Sequence, residues 1–172
     1  MITNIRRVEI ERFSVTTSER FDEVLRRVES SIAHPDAIAV QTDLRRARSF
    51  SEVEHIVRIA NGPYPLMEFI RFDLGDVLRT RPETRDRKAV RLVIGNPVIL
   101  QEMATHVPDT VSYIPISIMI DERSDGVHLS YDRLSSLLAP YGNDEATSVA
   151  RTVDLAIENL LSHAATPLKK AV

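Results

Sequence analysis

Hydrophobic positions recur along this chain with two periods, every second residue and every third or fourth, and the switches between them predict its elements. Ile114, Ile116, Ile118 and Ile120 give the cleanest alternation, that of a strand with one buried face. Asp125-Gly126 follows as a hairpin signal, with Val127, Leu129 and Tyr131 continuing on the return strand. With Asp125-Gly126 as a two-residue loop, Ser124 faces Val127, Glu122 faces Leu129 and Ile120 faces Tyr131. That register puts the isoleucines, Val127, Leu129 and Tyr131 on one face. Ser117, Met119, Asp121, His128, Ser130 and Asp132 take the other, which Tyr113 and Pro115 extend. A slip of one residue would bury the polar set, so the pattern specifies the faces. Val90, Leu92 and Ile94 predict another strand, and the apolar run 66–72, bounded by Pro65 and Gly75, one more. Val8 and Ile10, then Phe13 and Val15, predict a first strand whose phase slip at Glu11-Arg12 reads as a bulge.

The helical period appears first in Phe21, Val24, Leu25, Val28 and Ile32, with Thr16 and Glu19 at capping-box spacing, Ser18 a competing cap and His34-Pro35-Asp36 as a stop. Residues up to Arg48 read as irregular. Ser49 and Glu52 form a second capping box ahead of Val53, Ile56, Val57 and Ala60, and Asn61-Gly62-Pro63 ends that helix. Asp73-Leu74-Gly75-Asp76 reads as a turn and 79–88 as a charged surface loop, or as an anion-attracting flap. At Gly95 the period changes: Asn96 is a strong N-cap and Pro97 stands at N1, with Ile99, Leu100 and Met103 turned inward. A short helix over 134–139, capped by Asp132, closes at Pro140-Tyr141-Gly142. The last helix starts at Asn143 and carries Ala146, Val149, Ala150, Val153, Ile157, Leu160, Leu161 and Ala164, before Pro167 and a frayed Lys169-Lys170 tail. The whole predicts one α+β domain over residues 1–172, with an antiparallel or mixed sheet of about five strands and helices packed mainly on one face.

Composition narrows the function. The chain has 172 residues, enough for one domain with a real core, and its 43% hydrophobic and 27% charged residues are those of an ordinary globular protein. A net charge of −3 with no basic stripe argues against nucleic acid as a partner. Cysteine is absent, which removes disulfides, thiolate catalysis and cysteine zinc sites. Tryptophan is absent and aromatics are 5%, which counts against a stacking platform for bases or sugars. The first twelve residues lack the apolar run of a signal peptide, and no stretch has the length of a spanning helix. A cytoplasmic protein without membrane contact is expected.

Phe72-Asp73-Leu74-Gly75, Ile94-Gly95-Asn96-Pro97, Tyr113-Ile114-Pro115, Asp125-Gly126 and Ser130-Tyr131-Asp132, in that order, resemble the prokaryotic domain-of-unknown-function family 302. The resemblance covers residues 66–164. It implies a small α+β domain that commonly self-associates and has no assigned activity, so no catalytic residue carries over from it.

Three groups of residues suggest chemistry. Gly95-Asn96-Pro97 sets a helix N-terminus directly after a strand, where free amides and the helix dipole suit an anion. Arg91 or Arg133 would add charge and Tyr131 a further contact; the plainer alternative is a cap and a tight turn. Asp73 and Asp76, with Glu68 upstream, suggest acid–base work or a hard cation, or simply a turn. His128 shares a face with Ser130 and Asp132, and Asp121 lies on the neighbouring strand. Residues i and i+2 on a strand are roughly 7 Å apart, however, too far for direct proton transfer. His34, His55, His106, His128 and His163 show no metal-ligand spacing, so neither metal nor cofactor is expected. The favoured expectation is a binding module for a small, anionic molecule at Gly95, Asn96, Pro97, Arg91, Tyr131 and Arg133, acting as a homodimer through its second sheet face. The rivals are an enzyme using Asp73, His128 or Asp132 on a small substrate, and an assembly module without ligand.

Overall fold

Strands with one apolar face pair in the register that aligns those faces, and five stretches of this chain do so. A computed structural model describes residue 3 and residues 5–167. In chain order the elements are β1 (Arg12–Thr17), α1 (Phe21–Glu29), α2 (Ala37–Arg46), α3 (Phe50–Asn61), β2 (Met67–Asp73), the single turn α4 (Gly75–Leu78) and β3 (Ala89–Gly95). There follow α5 (Pro97–His106), β4 (Ile116–Arg123), β5 (Gly126–Asp132), the short α6 (Leu134–Leu138) and α7 (Asp144–Ala165). The sheet order is β1-β5-β4-β3-β2, and every strand pair is antiparallel.

One sheet face is the core. Val90, Leu92 and Ile94 of β3, Ile116, Ile118 and Ile120 of β4, and Val127, Leu129 and Tyr131 of β5 are buried there. α1, α5, α6 and α7 cover them with Phe21, Val24, Val28, Met103, Leu134, Leu138, Ile157 and Leu161. The other face carries Arg12, Ser14 and Thr16 of β1, His128, Ser130 and Asp132 of β5, Ser117, Met119 and Asp121 of β4, Arg91 and Val93 of β3, and Ile70 and Phe72 of β2. The two faces predicted for the β4–β5 hairpin are therefore the observed ones, but its register is not the predicted one. Ile120 pairs with Leu129 and Arg123 with Gly126, so the loop is Ser124-Asp125. A displacement of two residues preserves parity, which is why the faces survive it. Gly126 has φ 137° and lies so close to β1 that a Cβ there would meet the Thr17 carbonyl oxygen at 2.5 Å. Glycine is thus required after the loop rather than in it.

Other expectations are corrected. The first strand holds no bulge at Glu11-Arg12: it begins at Arg12, and Val8 and Ile10 precede it. Its partner β5 ends at Asp132, opposite Arg12, so Val8 and Ile10 have nothing to pair with. Thr16 and Glu19 do not box a helix; Thr16 is in β1, α1 starts at Phe21, and Glu19 pairs with Arg27 at 2.7 Å. The stretch read as irregular contains α2, capped by Asp36, whose side chain accepts from the amides of Ile38 (2.9 Å) and Ala39 (3.0 Å). Only Val40 of α2 is fully buried, too thin a stripe to register as a period. Tyr113 precedes β4 and turns to Tyr141, their hydroxyls 2.9 Å apart, instead of extending the open face. Lys169 and Lys170, read as a frayed tail, lie outside the described residues.

α2 and α3 form a second, smaller core with the start of β2, built on Ala33, Val40, Val57 and Met67. The bridge Ala33–Met67 ties the chain ahead of α2 to that edge. α2 consequently overhangs the β2 corner of the open face, and among the described residues no helix covers the rest of that face.

Candidate functional site

The residues singled out in the sequence fall into separate places. Tyr131 is 2% exposed on the helix-covered face. Its hydroxyl faces the Asp154 carbonyl (3.2 Å), Asp154 Oδ1 (3.2 Å) and Glu158 Oε1 (3.3 Å). Burial, followed by the charges of Asp154 and Glu158, pushes the phenol's pKa far above its ordinary value. Arg133 pairs with Glu11 (2.6 Å) and Glu158 (3.0 Å), and the hydrogen bond to Glu11 is the largest cause raising its pKa. Asp132 does not cap α6; it pairs with Arg12 at 2.6 Å. The cap is Asp154 of α7, which accepts from the amides of Leu134 (2.8 Å) and Ser135 (3.0 Å). Nothing local to 132–139 signals that partner, because it lies twenty residues further on.

His128 sits on the open face with its Nδ1 3.2 Å from Thr16 Oγ1 and its Nε2 2.8 Å from Asp125 Oδ1. That hydrogen bond from His128 is the largest cause holding the Asp125 carboxyl below its usual range. Asp73 is at the far end of the sheet, where its Oδ1 accepts from the Gly75 amide at 3.0 Å. β2 and β5 are three strand spacings apart, about 14 Å, so Asp73 is not brought together with His128 and Asp132. Among the described residues no group of three or more His, Asp or Glu is placed to hold a metal ion, and no helix is long and apolar enough to cross a membrane.

The Gly95 turn is built as its residues dictate. Asn96 Oδ1 accepts from Val98 N (2.9 Å) and more weakly from Ile99 N (3.5 Å), while Nδ2 donates to the Pro65 carbonyl at 2.9 Å. The free amides of α5 are therefore taken by their own cap. Gly95 is approached from three sides: a Cβ would meet Pro115 Cβ at 3.3 Å and Ile114 Cγ2 and Phe69 Cε2 at 3.4 Å. These contacts are one wall of a cavity of ≈ 300 Å³. Leu44 and Gln41 come from α2, Phe69 and Ile70 from β2, Val93 from β3, and Asn96, Pro97 and Leu100 from the start of α5; Ile114 and Pro115 close it. The walls are apolar apart from the Gln41 and Asn96 amides, and the β2 bulge at Phe69 turns that ring toward Gly95.

A larger, more open cleft of ≈ 430 Å³ lies between α1 and residues 79–88. Arg71, Arg79, Arg85, Arg87 and Lys88 face it, but so do Asp22, Asp73, Asp76 and Asp86. Lys88 is held by Asp22 (2.9 Å) and Arg79 by Asp76 (2.7 Å). Interspersed charges of both signs make a solvated surface, with no net field to concentrate an anion.

The sequence model of the family described as "Domain of unknown function DUF302" matches residues 40–164. The chain belongs to the DUF302 family. The match begins before residue 66, so α3 and most of α2 are part of the family domain. The crystal structure of an uncharacterized conserved protein DUF302 from Bacillus stearothermophilus is similar, with a TM-score of 0.62 at 10% identity, covering 90% of this chain and 98% of that one. At that identity the likeness concerns the fold. No curated protein matches this DUF302 chain.

Proposed function

We propose that this DUF302 domain is a binding module that takes one small, mainly apolar molecule in the cavity beneath α2. The cavity itself carries the reading: ≈ 300 Å³ lined by Leu44, Phe69, Ile70, Val93, Pro97, Leu100, Ile114 and Pro115, with Gln41 and Asn96 as its polar groups. Small-molecule sites combine an apolar wall with few polar groups, and this volume is at the low end of their range. The rival enzyme reading, using Asp73, His128 or Asp132, has less support: Asp73 accepts from the Gly75 amide, His128 is engaged by Asp125 and Thr16, and Asp132 by Arg12. The module acts as a homodimer through the open face, where Ile70 is 51% and Phe72 44% exposed beside Val93 and Met119.

Native mass spectrometry of protein purified from its own host tests the binding reading. A bound small molecule should be present on the wild type and absent from Ile70→Trp, which fills the cavity from a half-exposed edge position. Bare protein from the host, together with no methyl NMR shift at Leu44, Val93 or Ile114 on adding 1-octanol, would refute it.

A further inference from the structure

The cavity shares Ile70 and Val93 with the open sheet face, and among the described residues Arg91 is the arginine of that face with no carboxylate partner. Arg12 and Arg123, the other arginines on that face, are each held by a carboxylate, Asp132 and Asp121, at 2.6 Å. Among the described residues Arg91 makes no salt bridge; its Nε and Nη2 donate to Ser117 Oγ at 3.0 Å and 2.7 Å. Ser117 is the cross-strand partner of Val93, a cavity-wall residue, and stands two residues after Pro115, another. The Arg91 side chain thus leans diagonally across β3 and β4 to Ser117, the residue paired with the cavity-lining Val93. Phe72, the cross-strand partner of Arg91 on the edge strand, flanks it with an exposed apolar ring. An exposed hydroxyl is a weak partner for a guanidinium, which is shaped to take a carboxylate or phosphate through paired N–H donors.

We infer that the ligand is an amphipathic anion, with its apolar body in the cavity beneath α2 and its carboxylate or phosphate on Arg91 and Ser117. This rests on the cavity being the binding site and adds the class of molecule it takes. A neutral apolar compound would use the cavity and ignore Arg91; a small polar anion would have no use for Phe69, Leu100 and Ile114. The Asn96 cap fits the same assignment. Because Asn96 occupies the α5 amides, an anion at this corner is left to side-chain cations, and Arg91 is the one the sheet face offers.

Titrating octanoate and 1-octanol into wild-type protein and Arg91→Gln, followed by calorimetry and by NMR shifts of Val93 and Leu44, separates the two levels. Octanoate should bind the wild type about tenfold more tightly than octanol, the ratio of one charge-assisted hydrogen-bond pair. Arg91→Gln, checked by light scattering to keep the wild-type mass because Arg91 lies on the proposed dimer face, should erase that preference while leaving octanol affinity unchanged, and rising salt should weaken octanoate alone. Equal affinity for the two probes in the wild type, or a preference that persists in Arg91→Gln, overturns the anion assignment and leaves the apolar site standing. Binding of neither probe overturns both.

Discussion

At Asp154 a carboxylate with none of its surface exposed takes two backbone amides of α6 and faces the Tyr131 hydroxyl. A helix as short as α6 cannot sustain itself by propensity, so its first turn depends on this borrowed cap. Asp154→Ala would leave the Leu134 and Ser135 amides and the Tyr131 hydroxyl buried without that partner. The expected loss is roughly 3–5 kcal/mol, against about 1 kcal/mol for Tyr131→Phe, which removes only one weak donor. Urea unfolding of both variants checks the order. Equal losses would mean that the carboxylate's amide bonds contribute nothing beyond the phenol contact.

Among the elements, α2 and α5 begin alike, each with a side chain accepting from the first-turn amides, but only α5 shows a clear start in the sequence. Asn96 is followed by proline and preceded by glycine, whereas Asp36 leads into a helix with a single fully buried residue. Asn96→Ala and Asp36→Ala should each cost about 1 kcal/mol. They should differ in extent. Asn96 also ties α5 to Pro65, so its loss should destabilise the whole domain. Loss of Asp36 should raise amide exchange mainly within α2, which would show directly in hydrogen-exchange NMR. The β4–β5 hairpin carries a pH signature. Asp125 has a lowered folded pKa because His128 hydrogen-bonds to it, so its contribution exists above the unfolded value of about 4 and disappears as pH falls through the folded one. Asp125→Asn should therefore lower the melting temperature slightly at neutral pH and have no effect once the pH has fallen below the folded pKa. A difference that persists in acid would assign the effect to something other than this ion pair.

For the whole molecule, α1, α5, α6 and α7 gather on one sheet face, and α2 overhangs only the β2 corner of the other. α3 packs with α2 and α5 around Met67 at the β2 corner and does not spread over Ser117 and Met119. A symmetric dimer is the commonest way to cover such a face. Light scattering at micromolar concentration should give twice the 19.4 kDa of one chain. Met119→Lys, placing a desolvated charge at the centre of the face, should return it to that single-chain mass without loss of secondary structure. A wild-type mass of one chain would sink the dimer.

The α+β class, the two faces of the hairpin, the buried stripes of α1 and α7 and the caps at Ser49 and Asn96 were legible in the residues alone. Each is a local matter: a side-chain period of two or 3.6, or an acceptor within three residues of the amide it satisfies. Tertiary structure decided the remainder. α2 hides behind a single buried valine, α6 is capped from the next helix, and Tyr131, which reads as a ligand contact, turns to Asp154 because its parity sends it to the core. The cavity belongs wholly to that second category. Leu44, Phe69, Val93, Leu100 and Ile114 stand on separate segments, each indistinguishable in sequence from an ordinary packing residue. The space between them exists only where α2, β2, β3 and the start of α5 come together, and no spacing along the chain encodes how separate elements pack.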